Sequence, residues 1–410
     1  MSAGNLRNGS SISRNWSRKK RIAITLLTVA GGVVVGLLLV EVGLRIVGFR
    51  YLNLSQEDQY VGYALRPGAE GWWTREGKAY IKINSDGLRD REHSELKPPN
   101  TLRIAILGDS YTEALQVPGE KAFWAVMEQR LQGCQTLAGR RVEAINFGVS
   151  GFSTARELIT LRRRVWKYSP DIIVLVITIS NDITDNSPVL SQYANAPLPY
   201  FVYRNGALVL DDSRLRARDK SFKSHLQKSA LGQSLNWLRS HLRLMDLIDK
   251  SRAAFQNVEL RQKKSVTRIG HEPGIAANVF RQPNDPAWDE AWRVTEGLIL
   301  LMGDEVKANR AQFLLVTGST GIQVHPDPKV GEDFMRRLGV NDLFYPDYRI
   351  KALGDREGIE VLTLAPALQK LAEQKHAFLH GTDGTGHWNE WGHREVGQRI
   401  AEKLCEVARH

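Results

Sequence analysis

The 410-residue chain has only two cysteines, Cys134 and Cys405. Two thiols cannot build a cysteine-rich zinc module or hold an iron–sulfur cluster. In an oxidising compartment they are able to pair, but spacing alone does not show that their side chains meet, and two separate buried thiols fit equally well. Proline is modest at 15 residues, and there is no evident repeat or low-complexity tract. With 42% hydrophobic and 25% charged residues, the chain is neither mostly disordered nor collagen-like nor a disulfide scaffold. Long apolar runs are also scarce. There is one, near the N-terminus, and no second of that length, so a single-pass protein is expected.

What is present in excess is positive charge, with 56 Lys+Arg against 45 Asp+Glu and a net charge of +11. It is not spread evenly. Residues 1–21 hold Arg7, Arg14, Arg18, Lys19, Lys20 and Arg21 with no acid. The stretch 213–268 carries fourteen basic residues and four acids, which leaves the rest of the chain mildly acidic. Immediately after the first cluster, Ile22 to Val40 contains no charge in nineteen residues. About 20 apolar residues cross a bilayer as a helix. The basic cluster before this run and Glu41 after it predict a cytoplasmic N-terminus by the positive-inside rule. The run is longer than a signal-peptide apolar region and no small-residue cleavage site follows, so an uncleaved anchor is expected rather than a removed leader. The expected organisation is a basic cytoplasmic tail at 1–21, a transmembrane helix at 22–45, a juxtamembrane segment at 46–100 and an exported body at 101–410.

Within the body, short apolar runs at Ile104–Leu107, Val142–Ile145, Asp171–Thr178, Phe313–Thr317 and Ile359–Leu362 alternate with helical patterns. One such pattern is Trp288, Trp292, Thr295, Ile299, Met302 and Val306. Apolar strands alternating with helices predict an α/β fold with a parallel sheet covered on both faces. Active sites of such sheets lie at the carboxyl ends of the strands. Lys97-Pro98-Pro99-Asn100 reads as a linker ahead of the first strand. An insertion at about 185–287 opens with a predicted hairpin turned by Asn205-Gly206. It continues with an amphipathic stripe over 231–248, read either as a lid helix on the core or as a basic helix at an anionic lipid surface.

Three strand ends carry the candidate chemistry. Gly108-Asp109-Ser110 follows the first, Asn146-Phe147-Gly148-Val149-Ser150-Gly151 the second and Ser180-Asn181-Asp182 the third. A serine exposed in a tight turn needs a general base. His387 is the candidate, just before a C-terminal helix, with Asp383 upstream as the carboxylate that would fix its tautomer. A glycine N–H and an asparagine amide beside the serine's own N–H are what an oxyanion hole requires. Other histidines are discounted. His325 reads as a loop residue, and Gly381–Gly386 breaks any helix that would place His376, His380 and His387 on one metal-binding face. No cofactor loop and no metal site is expected, and the basic stretch 214–264 has too few interleaved aromatics for nucleic acid.

Taken in order, Gly108-Asp109-Ser110, Gly151, Asn181 and His387 match the four blocks of the SGNH/GDSL hydrolases, and Trp388-Asn389-Glu390-Trp391-Gly392-His393 resembles the final block. The segment Ile83-Asn84-Ser85-Asp86-Gly87-Leu88-Arg89-Asp90 resembles membrane-anchored, exported bacterial members. The resemblance implies a flavodoxin-like three-layer α/β/α fold with a five-stranded parallel sheet in the order 2-1-3-4-5. It implies Ser110 as nucleophile, His387 as base, and Ser110, Gly151 and Asn181 as the oxyanion hole. The family places its aspartate three residues before the histidine, a position held here by Gly384, so Asp383 stands one residue out of register.

These readings give a serine esterase acting on a carbohydrate or lipid ester through an acyl-enzyme, anchored in a bacterial inner membrane with its catalytic domain periplasmic or otherwise extracytoplasmic. Two others stay open. One is an O-acetyltransferase acting on exopolysaccharide or cell-wall sugar. The other is a catalytically silent carbohydrate-binding or assembly protein, which the displaced Asp383 favours.

Overall fold

Five apolar runs pair side by side to make the sheet that organises the molecule. The computed structural model describes residues 18–48, 52–137, 139–179, 181–221, 229–232, 234, 242–248, 250–251 and 275–407. Strands are labelled in chain order: β1 Ser55–Asp58, β2 Gly62–Leu65, β3 Glu70–Trp73, β4 Ala79–Lys82, β5 Thr101–Leu107, β6 Arg141–Asn146, β7 Ile172–Ile177, β8 Tyr200–Arg204, β9 Ala207–Asp211, β10 Gln312–Thr317 and β11 Glu360–Thr363. The five-stranded sheet runs β6-β5-β7-β10-β11, and every neighbouring pair is parallel. Numbered within the sheet, that order is 2-1-3-4-5, the flavodoxin-like arrangement.

Every residue of β5 and of β7 is buried, as expected of central parallel strands covered on both faces. Alternate side chains of β5 feed two cores. Ile104 and Ile106 pack with the helices Phe123–Leu131, Ala365–Lys375 and Glu390–Val407. Ala105 and Leu107 pack toward the helices Thr154–Thr160, Pro286–Ala308 and Tyr345–Glu357. Truncating a side chain as enclosed as Leu175 to alanine is expected to cost about 2–5 kcal/mol. The Pro286–Ala308 helix begins where expected. Asp285 accepts hydrogen bonds from the N–H groups of Ala287 and Trp288, and Pro286 occupies the first turn.

The residues between 52 and 100 pack in the same unit as the sheet. Ala79, Ile81, Ile83 and Leu88 are buried in its core. Arg89 is buried and donates to the carbonyls of Glu113, at 2.8 Å, and Val117. Asp90 accepts the N–H of Asn146 at 2.9 Å. The Asn84–Asp90 motif thus fastens the two loops that follow β5 and β6. The predicted hairpin in the insertion is β8–β9, with Asn205 and Gly206 both at positive φ in its turn, the conformation that Asn-Gly favours.

A second unit contains residues up to Tyr51 together with 230–260. Its main element is the Arg18–Ile46 helix, long and apolar enough to cross a membrane. Within this unit Glu41 accepts the backbone N–H groups of Arg243 and Leu244 at 3.1 and 2.9 Å, and Arg45 donates to Glu41 at 2.7 Å. Much of the 231–248 stripe and nearly all of the 1–21 tail lie outside the described residues.

Candidate active site

Ser110 opens a short helix, Ser110–Glu113, directly after β5. The turn is held by Asp109, whose buried carboxylate accepts Tyr111 N–H at 2.9 Å, Thr178 Oγ1–H at 2.9 Å and Asn181 Nδ2–H at 2.7 Å. Burial nevertheless pushes the Asp109 carboxyl above its ordinary range. Gly108 allows the close turn, since a Cβ there would meet Thr112 Oγ1 at 2.2 Å. Gly148 does the same for the next loop, where a Cβ would stand 2.6 Å from the Glu113 nitrogen.

Ser110 Oγ–H donates to His387 Nε2 at 2.7 Å. On the other side of the ring, His387 Nδ1–H donates to Glu76 Oε2 at 2.6 Å. The same carboxylate oxygen accepts the backbone N–H of His387 at 3.0 Å. These contacts assign the tautomer, with the proton on Nδ1 and the lone pair of Nε2 facing the serine. Burial lowers the affinity of His387 for a proton, but the hydrogen bond and negative charge of Glu76, with smaller contributions from Asp109 and Glu113, outweigh it. The net result lies above the ordinary imidazole value. Conversely, the hydrogen bond to His387 holds the Glu76 carboxyl below its ordinary range.

The carboxylate beside His387 is therefore Glu76 and not Asp383. Asp383 is exposed and accepts Thr385 N–H at 3.1 Å and Thr385 Oγ1–H at 2.8 Å. Gly381, Gly384 and Gly386 all take positive φ, and this glycine-rich turn keeps Asp383 at the surface, away from the imidazole. Glu76 comes from the turn between β3 and β4, in the segment expected to be merely juxtamembrane, and itself sits at φ +58°. Two glycines let it approach. A Cβ on Gly77 would meet the Gln116 carbonyl oxygen at 2.2 Å, and one on Gly386 would meet the Glu76 carboxyl group at 2.9 Å. The sequence signals for Glu76 are slight: a charged residue before glycine, between two short aromatic-rich strands.

The other expected residues meet in one open cleft of about 390 Å³, whose walls include Ser110, Gly151, Asn181 and His387. Gly151 has φ +73°, and its carbonyl accepts from Arg156. A side chain there would collide with Tyr63 Oη at 2.7 Å. The preceding residue is pinned, since Ser150 N–H donates to buried Glu113 at 2.6 Å and its carbonyl accepts from Tyr63 Oη at 2.9 Å. Burial raises the Glu113 carboxyl. His380, behind His387, is buried, with Nδ1 against the Gly386 carbonyl at 2.8 Å and Nε2 against Ser319 Oγ at 3.0 Å. Burial lowers it to about 4, so it is a neutral structural group. His325 Nδ1 accepts Asp327 N–H at 3.1 Å, a loop role. Among the described residues no group of three or more His, Cys, Asp or Glu could hold a metal ion.

No protein-family model and no curated protein matches the chain. Among solved structures, the chain is similar to an acetyl xylan esterase at 13% identity and a TM-score of 0.37, covering 74% of this chain and 100% of that one. It is similar to a lipase/acylhydrolase from Enterococcus faecalis at 12% identity and a TM-score of 0.35, covering 75% and 96%. A third likeness is to an acetylxylan esterase from Geobacillus stearothermophilus, at 12% identity and a TM-score of 0.35, covering 74% and 94%.

Proposed function

We propose that the protein is a serine-dependent ester hydrolase of the SGNH/GDSL type. The observation that carries this reading is the hydrogen-bonded line from Ser110 Oγ through His387 to Glu76, at 2.7 and 2.6 Å. Ser110 Oγ attacks the ester carbonyl carbon while its proton passes to His387 Nε2. The new charge on the carbonyl oxygen is met by the N–H groups of Ser110 and Gly151 and by Asn181 Nδ2–H. Asp109 accepts from the Asn181 amide at 2.7 Å and holds it beside the turn that carries Ser110. The imidazolium, stabilised by Glu76, gives its proton to the departing alcohol. Water, activated by the neutral imidazole, then attacks the acyl-enzyme carbonyl, and acid leaves as the proton returns to Ser110. Glu76 acts through His387 and is a positioning residue.

The Arg18–Ile46 helix supports a further element of the proposal, a single-pass anchor with the catalytic unit on the exported side of a bacterial inner membrane. A fluorophosphonate probe tests the chemistry. The wild type is expected to take one equivalent on Ser110, with Ser110→Ala taking none and losing ester cleavage. Full cleavage by Ser110→Ala, or labelling at another serine, would overturn the assignment.

A further inference from the structure

Apart from its tyrosines, the cleft has three titratable groups among the described lining residues, Arg75, Glu76 and His387. The last two satisfy each other at 2.6 Å. Arg75 has no carboxylate within ion-pair distance among the described residues. Its guanidinium instead lies over the Trp73 ring, 5.4 Å from the centroid, while Trp73 Nε1–H donates to the Arg75 carbonyl at 2.8 Å. The two side chains thus brace each other on the wall of the hairpin that also delivers Glu76. A cation held this way on a rigid aromatic face loses little side-chain freedom when it meets an anion, and its planar fork suits a carboxylate.

The rest of the lining narrows the chemistry. Leu115 and Ile275 are the only aliphatic side chains among the described lining residues, so the described wall is mostly polar and aromatic. Gln192 and Tyr193 line the cleft, and neither the Gln192 amide nor Tyr193 Oη makes a side-chain hydrogen bond among the described residues. Burial raises the Tyr193 phenol to about 12, so it stays a hydroxyl donor. A cleft of about 390 Å³ accommodates one sugar ring with a short acyl group.

We infer that Arg75 and Trp73 form the alcohol-side subsite, and that it recognises a short-chain O-acyl ester of a carboxylate-bearing sugar, an acylated uronic acid. Arg75 pairs with the sugar carboxylate, Trp73 offers aromatic surface to the ring, and Gln192 and Tyr193 meet hydroxyl groups. The inference rests on the hydrolase reading and specifies its substrate class.

The test uses the full-length protein in detergent micelles and an O-acetylated methyl galacturonoside, compared with the same compound carrying a neutral methyl uronate. 4-Nitrophenyl acetate reports the underlying hydrolase. A charge-assisted contact predicts that wild-type kcat/KM is at least about tenfold higher for the carboxylate form. Arg75→Gln should bring that ratio to about one, and Arg75→Lys should keep part of it. The subsite assignment is overturned by a wild-type ratio near one, by a ratio that survives in Arg75→Gln, or by faster cleavage of a phospholipid ester than of either sugar. Failure of the wild type to cleave 4-nitrophenyl acetate or any of these esters would instead overturn the hydrolase reading itself.

Discussion

Glu76 and His387 are 311 positions apart in the chain and meet at 2.6 Å, with one carboxylate oxygen accepting both the ring Nδ1–H and the backbone N–H of the histidine. That double contact fixes the imidazole's position and its tautomer together. It also joins the β3–β4 hairpin to the loop that carries His387, within the unit that holds the sheet.

The first consequence is a pH profile. In the proposed hydrolase His387 works as a base only when neutral, and Glu76 raises its proton affinity against the opposing effect of burial. The acidic limb of kcat/KM should therefore have its midpoint above 6.5, the ordinary imidazole value. In Glu76→Gln the negative charge is gone while burial remains, so the limb should move to lower pH even as the maximal rate falls. A limb that does not move would mean that Glu76 does not set the state of His387.

Gly77 supplies a second prediction. A methyl group at this position would lie 2.2 Å from the Gln116 carbonyl oxygen and 3.1 Å from its carbon. Backbone on both sides leaves the hairpin to shift, carrying Glu76 with it. Gly77→Ala is expected to cost about 1–3 kcal/mol of stability and to reduce kcat/KM by about 10²-fold. A thermal melt and ester kinetics on the same preparation check both. Unchanged kinetics would contradict a tightly seated hairpin.

Cys134 and Cys405 form a disulfide that ties the loop after the Phe123–Leu131 helix to the C-terminal Glu390–Val407 helix, across a sequence separation of 271. Cross-linking so long a loop restricts the unfolded chain, so the Cys134→Ser/Cys405→Ser double variant should lose about 2–5 kcal/mol. Its Tm should fall, and the wild type should show the same fall after reduction. A wild-type Tm that does not change after reduction would contradict the pairing.

Much of the sheet was legible because central parallel strands are apolar along their whole length, as Ile172–Ile177 shows, and such runs announce themselves without knowledge of their neighbours. That Ser110 and His387 would stand at one edge of the sheet was legible for a related reason, since both lie beside recognisable turns at element ends, and their side chains meet at 2.7 Å. Glu76 was not. The strands that carry it are four residues each, too short for a strong period, and its partner is set by tertiary folding alone. Asp383 drew attention by being near His387 in sequence, but Gly381, Gly384 and Gly386 at positive φ turn the chain so that proximity in sequence does not become contact. In the segment between 46 and 100 the alternation Ala79-Tyr80-Ile81-Lys82-Ile83 read as strand-like and β4 is found there, but so short an alternation did not show that Ile81, Ile83 and Leu88 would all be buried in the core of the sheet unit.

The most direct test of the account is kcat/KM for Glu76→Gln and Asp383→Asn measured side by side, above the acidic limb of each. Loss of the carboxylate that orients a catalytic histidine typically lowers kcat by about 10⁴-fold in serine hydrolases, and the partly exposed setting of Glu76 sets the expectation here between about 10²- and 10⁴-fold. Asp383→Asn should stay within about twofold of wild type. The opposite pattern, with Asp383→Asn impaired and Glu76→Gln fully active, would contradict the account.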